Sequence, residues 1–435
     1  MDFSLSKTLQ KQAHRLVPGG CHTYAKGDDQ YPELAPAFIR NGKGCHVWDV
    51  DGNEFIEYGM GLRAVTLGHA FAPVNAAACA AMAQGSNFTR PSPIELQCAE
   101  RFLSIVEGAE MVKFAKDGSA VNTAAVRLAR AFTGRDLVAI CENDPFLSYN
   151  DWFIGTTAMR AGIPLSNRRL TVSFRYNDID SVVQLFRDYP EDIACVVCEL
   201  ERSEPPRDGF LAGLRELCTR HGTLLVADEI ITGFRWHIGG AQKLYGITAD
   251  LSTFGKAMAN GFSVSALAGR RDVMELGGIQ HDKKRVFLLS TTHGAETHAL
   301  AAAEATMRIY REHDVVGHLH RQGLRLQEGL RHAARANGVA DHVDVVGRPC
   351  NLVYVTRDER MKPSQAFRTL FLQELIRNGI LAPSFVVSFS HSDADIDRTV
   401  AALDAVLHVY RRALDEGIDR FLVGPSVKPA FRTYC

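Results

Sequence analysis

The sequence predicts an α/β fold: a large domain on a mostly parallel sheet, joined to a smaller α+β domain built from both chain ends. Three observations predict it. The middle third alternates short apolar runs with helical patterns, the N-terminal part opens with a hairpin signal, and the character turns helical beyond about residue 305.

Strand-helix alternation is clearest where MVKFA leads into VNTAAVRLARAFTG and IACVVCEL leads into LAGLRELCTRHG, followed by TLLVADEI and VSALAG. Runs of this kind suit parallel strands covered on both faces. Near the start, GCHVWDVDGNEFIEYG alternates apolar residues around Asp51-Gly52, a dipeptide suited to the positive φ of a tight turn. Beyond residue 305, MRIYREHDVVGHLHRQGLRLQEGLRHAARANG reads as one long amphipathic helix. The strand NLVYVTRD and the helix DADIDRTVAALDAVLHVYRRALDEG follow. The expected division is 1–65 and 306–435 for the small domain and 66–305 for the large one.

Composition excludes several function classes. The 435 residues are 46% hydrophobic and 23% charged, with a net charge of -1, a globular profile without the basic footprint of a nucleic-acid binder. No apolar run approaches the length of about 20 residues that a membrane span needs, and the N-terminus lacks a signal-peptide core. The ten cysteines are scattered. Cys195 and Cys198 form a CxxC within an apparent strand, where residues three apart face opposite ways and are poorly placed to share a metal. No metal site is expected, and a reducing cytoplasm fits.

The chemistry concentrates at three places. Lys256 is the only ionisable side chain from Leu251 to Gly269, a setting that favours the neutral amine needed to attack an aldehyde. A snorkelling lysine is the plainer alternative. Asp228 ends an apolar strand, where open α/β sheets bind ligands, and a carboxylate there can keep a pyridinium nitrogen protonated. A helix cap would look the same. Gly118 and Ser119 stand between a strand and a helix, so backbone N–H groups and a hydroxyl offer an anion turn. Lysine, acid and anion turn together match what pyridoxal phosphate (PLP) requires.

The motifs VADEIITGFR and FGKAMANG, with GSAVNTAAVRLARAFTGRD, STTHGAETHALAA, FTRPSP and GPSVKPAFR, resemble those of class III (subgroup II) PLP-dependent aminotransferases. The similarity spans nearly the whole chain and leans to the glutamate-1-semialdehyde 2,1-aminomutase branch. It implies the fold type I, aspartate aminotransferase-like architecture, with Lys256 as the Schiff-base lysine and proton shuttle. It also implies Asp228 on the pyridinium nitrogen, Ile230 on one ring face, and Gly118, Ser119 and Ala120 at the phosphate. Thr291 would reach the phosphate of the neighbouring subunit in a homodimer.

Three departures accompany the resemblance. Phe146-Leu147-Ser148 stands where relatives carry Tyr-His-Gly, so Phe146 can stack but offers no phenol. Ala120-Val121 replaces the usual acid and alanine after Gly-Ser. Glu199-Leu200 replaces Glu-Pro, keeping Glu199 within hydrogen-bonding range of the cofactor. The expected reaction is transamination through pyridoxamine phosphate, from an amino donor to an aldehyde or ketone. An intramolecular aminomutase is the alternative, and a non-catalytic binding protein is disfavoured by the intact Lys256 and Asp228. Aminomutases resemble one another in an arginine-bearing N-terminal loop; here CHTYAKGDDQYP has Lys26, Asp28 and Asp29 instead, and the paired acids favour a polyhydroxy or cationic substrate, with ordinary surface acids the commoner explanation.

Overall fold

In the computed structural model, which describes residues 1–142, 144 and 146–433, the chain forms two compact units. One comprises Met1–Phe71 with Gly317–Ala430; the other comprises Ala72–Val316 and the chain end from Phe431.

The larger unit is built on a seven-stranded sheet. Across it the strands run Met111–Ala115, Ser265–Gly269, Leu251–Phe254, Leu224–Asp228, Ile193–Cys198, Leu137–Cys141 and Thr171–Phe174. The last five of these are mutually parallel, and Ser265–Gly269 is antiparallel to both of its neighbours. The strands Ile193–Cys198 and Leu224–Asp228 are buried along their whole length, which explains why their sequences are near-continuous apolar runs.

Alternate residues feed two cores. Cys195, Val197, Leu224 and Val226 join one, against Val121, Ala125 and Leu128 of the Gly118–Thr133 helix. Val196, Cys198, Leu225 and Ala227 join the other, with Val182, Leu185 and Leu214. Cys195 and Cys198 therefore lie on opposite faces, as the two-residue strand period requires. The Gly118–Thr133 helix starts three residues earlier than its apolar pattern indicates. Asp117 caps it by accepting from the Ala120 N–H at 2.9 Å, and Gly134 ends it in the left-handed region at φ 72°.

In the smaller unit the strands His46–Asp49 and Glu54–Glu57 form the expected hairpin, with Val47 opposite Phe55. Of the Asp51-Gly52 pair, Gly52 alone takes positive φ, at 91°. Asp51 serves elsewhere: its two carboxylate oxygens accept the N–H groups of Leu5 and Ser6 at 2.7 and 2.9 Å, at the start of the Ser4–Leu16 helix.

The single long helix expected beyond residue 305 is corrected to two, Thr297–Glu312 and Val315–Ala336. His313 between them is extended, at φ −133° and ψ 147°. Asp314, whose short side chain competes for backbone groups, disfavours helix continuation at this point. No helix among the described residues is long and apolar enough to cross a membrane.

Candidate active site

Parallel pairing places Asp228 at the carboxyl end of its strand, opposite Thr253 on the neighbouring strand Leu251–Phe254. Lys256 follows that neighbour by two residues, so both groups emerge at the same sheet edge. The Lys256 backbone sits at φ 40°, a left-handed conformation that costs a non-glycine residue of order 1–3 kcal/mol. Its side chain is half-buried, while Ala257, Met258 and Ala259 behind it are buried.

Asp228 is 2% exposed and held from two sides. Its Oδ1 accepts the Ile230 N–H at 2.9 Å, and its Oδ2 accepts from Asn122 Nδ2 at 2.7 Å. Burial pushes this carboxyl above its ordinary range, and the two hydrogen bonds and the Lys256 ammonium pull it back. Glu199, one residue past the end of the adjacent strand, is pushed up by burial and by the Asp228 charge, with Lys256 opposing.

A third carboxyl belongs to the same field. Burial pushes Asp144 up to about 7, against the Arg202 guanidinium, whose Nε lies 3.3 Å from Asp144 Oδ1. Asp144 also lines a cavity of about 470 Å³ with Cys141, Phe153 and Thr156; neither Lys256 nor Asp228 lines it.

The anion turn opens the 16-residue Gly118–Thr133 helix. The Ala120 N–H is already engaged by Asp117, which leaves Gly118 and Ser119 as the turn's candidates for an anion. Ser119 Oγ accepts the Tyr149 N–H at 3.0 Å, a bond that uses the hydroxyl as acceptor rather than donor. Ile230 is wedged between two glycines: a Cβ on Gly118 would sit 3.1 Å from its Cδ1, and one on Gly255 3.2 Å. Phe146 is 48% exposed and meets Phe153 edge-on, with ring centroids 6.0 Å apart. Thr291 lies exposed in the segment before the Thr297–Glu312 helix.

A family model described as Aminotransferase class-III matches residues 27–407. The chain belongs to the class-III aminotransferases. As a member of that family it uses pyridoxal phosphate and has the fold type I architecture. This class-III aminotransferase is 34% identical over 426 residues to the glutamate-1-semialdehyde 2,1-aminomutase of Acetivibrio thermocellus, covering 92% of this chain and 97% of the relative. Among solved structures it resembles the PLP internal aldimine form of the FumI protein of Sphingopyxis sp. MTA144. That match has TM-score 0.87 and 28% identity over 94% of this chain and 97% of the other. It also resembles an omega-transaminase from Sphaerobacter thermophilus, with TM-score 0.85, 25% identity, and 94% and 98% coverage.

Sequence reasoning missed that Asn122 reaches Asp228. It also missed Asp144 and Arg202. A polar residue on the apolar face that carries Val121, Ala125 and Leu128 was the available signal for Asn122, because buried amides are nearly always spoken for.

Proposed function

We propose that the protein is an aminotransferase that carries an amino group from an amino donor to an aldehyde or ketone, with Lys256 and Asp228 as its catalytic residues. The observation that carries this is Lys256, held in strained backbone beside a buried, two-point-anchored Asp228. The residues fit pyridoxal phosphate. Asp228 is buried with its carboxyl raised by burial and lowered by Lys256, so a protonated ring nitrogen beside it would add a second compensating cation.

When bound, the cofactor supplies an electron sink for the charge left after substrate deprotonation. Lys256 would hold it through its amine and would then carry the proton to and from the substrate. Asp228 would keep the ring nitrogen protonated. Ile230, braced by Gly118 and Gly255, and Phe146 would flank the ring, Gly118 and Ser119 would hold the phosphate, and Glu199 would border the ring.

The name of the Acetivibrio relative favours a second reading, an intramolecular aminomutase. Residues 21–32 contain no arginine, which supports transfer between separate molecules. Asp28 in that loop pairs with His14 at 2.8 Å and accepts from Gln10 at 2.6 Å, so this acid is already engaged within the chain. A panel of amino donors should bleach the cofactor's absorbance and release a free oxo-acid or aldehyde, and a carbonyl acceptor should then restore it. Donor nitrogen label should appear in the new amine. Conversion of glutamate-1-semialdehyde to 5-aminolevulinate, with no donor able to support transfer, would establish the mutase instead.

The active unit we propose is a homodimer with shared sites. Thr291 is exposed, and so are the large apolar side chains Phe88, Ile279 and Phe287 of the same unit, which a second copy would cover. Mixing Thr291→Ala with Lys256→Ala subunits should restore activity above that of either parent, because one site of each heterodimer then has both residues. A fully active monomer would rule this out.

A further inference from the structure

We propose that Asn122 is the positioning residue that sets which way the Asp228 carboxylate faces and keeps it an acceptor towards the cofactor's ring nitrogen. The inference rests on the reading of Asp228 given above.

Asn122 is 1% exposed, at the fifth position of the Gly118–Thr133 helix. Its side-chain amide makes three hydrogen bonds. Nδ2 donates to Asp228 Oδ2 at 2.7 Å and to the Leu147 carbonyl at 2.7 Å. Oδ1 accepts from Thr253 Oγ1 at 2.6 Å. Both amide protons are thereby used. The amide cannot be turned over, because its oxygen would then face Asp228 Oδ2 and the Leu147 carbonyl, two further acceptors.

The consequence for Asp228 is geometric. One oxygen is tied to the Ile230 N–H and the other to Asn122, so rotating the carboxylate would break both bonds. Its remaining lone pairs therefore keep a fixed direction. Asn122 also ties three separate segments to that carboxylate: its own helix, the strand that leads to Lys256, and the segment carrying Phe146. An alanine or valine would satisfy the surrounding apolar packing, with Val121 and Ala125 as neighbours on the helix. An amide there is explained by the carboxylate it holds.

The test uses the holoenzyme, loaded with cofactor labelled with ¹⁵N in the ring. Asn122→Ala should lower kcat on the order of 10- to 100-fold, the worth of one hydrogen bond to a buried charge, with little change in donor KM. The ring-nitrogen signal should move towards that of unprotonated pyridine. Thr253→Val, which removes only the donor that orients the amide, should shift both quantities the same way by less. A wild-type ring-nitrogen signal in Asn122→Ala, whatever its kcat, overturns the proposal. If Asn122→Ala does not fold, an unmoved signal in Thr253→Val overturns it. Asp228→Asn run in parallel separates the two levels: if that variant keeps both rate and ring signal, the reading of Asp228 itself has failed.

Discussion

Lys256→Ala is expected to abolish turnover, with a loss of about 10⁴-fold or more, because covalent attachment and proton transfer depend on the same amine. Borohydride treatment of the native holoenzyme should fix the pyridoxyl group on Lys256, read by peptide mapping. The nearest competitor in sequence to the anion turn, Lys116, is already paired with Glu296 at 2.7 Å. Lys256→Arg separates charge from chemistry. It restores a cation beside Asp228 and Glu199, whose carboxyls the ammonium holds down, yet it supplies no attacking amine. Both variants should therefore be inactive, and only the arginine should preserve the charge balance of the apoprotein. Label on another lysine, or an alanine variant within tenfold of wild type, would remove Lys256 from its role.

The parts of this site that were legible in the sequence are those dictated by local pattern. Asp228 ends an apolar run, and a run buried on both faces of a parallel sheet must deliver its last residue to the carboxyl edge. Lys256 stands alone among uncharged residues and follows the next strand. The class-III resemblance and the fold it implies agree with the family match. The long-range pairings were not legible. Asn122 finds Asp228 and Thr253 across 106 and 131 residues, separations that no local pattern encodes.

Some side chains serve a second partner that no local pattern encodes. Asp51 lies in the expected hairpin turn and also accepts N–H groups at the start of a helix 45 residues away. Asp28, one of the paired acids of the N-terminal loop, is held by His14 and Gln10, which fits the plainer reading of a surface acid. Asp117 drew no notice, yet it takes the Ala120 N–H assigned to the phosphate. In each case a short acidic side chain is satisfied by whichever N–H or cation the fold brings closest.

Asp228→Asn should cost on the order of 10²-fold or more in kcat, the scale seen when a preorganised electrostatic partner is removed. The substitution keeps the shape and removes the charge, and the surrounding donors make it worse than neutral. Asp228 accepts from Ile230 N–H on one oxygen and Asn122 Nδ2 on the other. An asparagine amide has only one oxygen, so in either orientation its NH₂ faces one of those donors. No arrangement restores a charged acceptor for the ring nitrogen.

The change should also be visible without substrate. Glu199 is raised by burial first and by the Asp228 charge second, so removing that charge lowers its titration point. A carboxyl raised above its unfolded value of 4.5 keeps its proton in the folded state while the unfolded chain has lost it. Stability of the wild-type apoprotein therefore falls as pH rises through that window. In Asp228→Asn the window narrows, because Asp228 no longer contributes its own raised titration and Glu199 returns towards 4.5. Thermal unfolding of the two apoproteins between acid and neutral pH should show a shallower decline in the variant. Near-normal turnover of the loaded variant, together with an unchanged pH slope of the apoprotein, would show that Asp228 neither holds the ring nitrogen nor shares a field with Glu199.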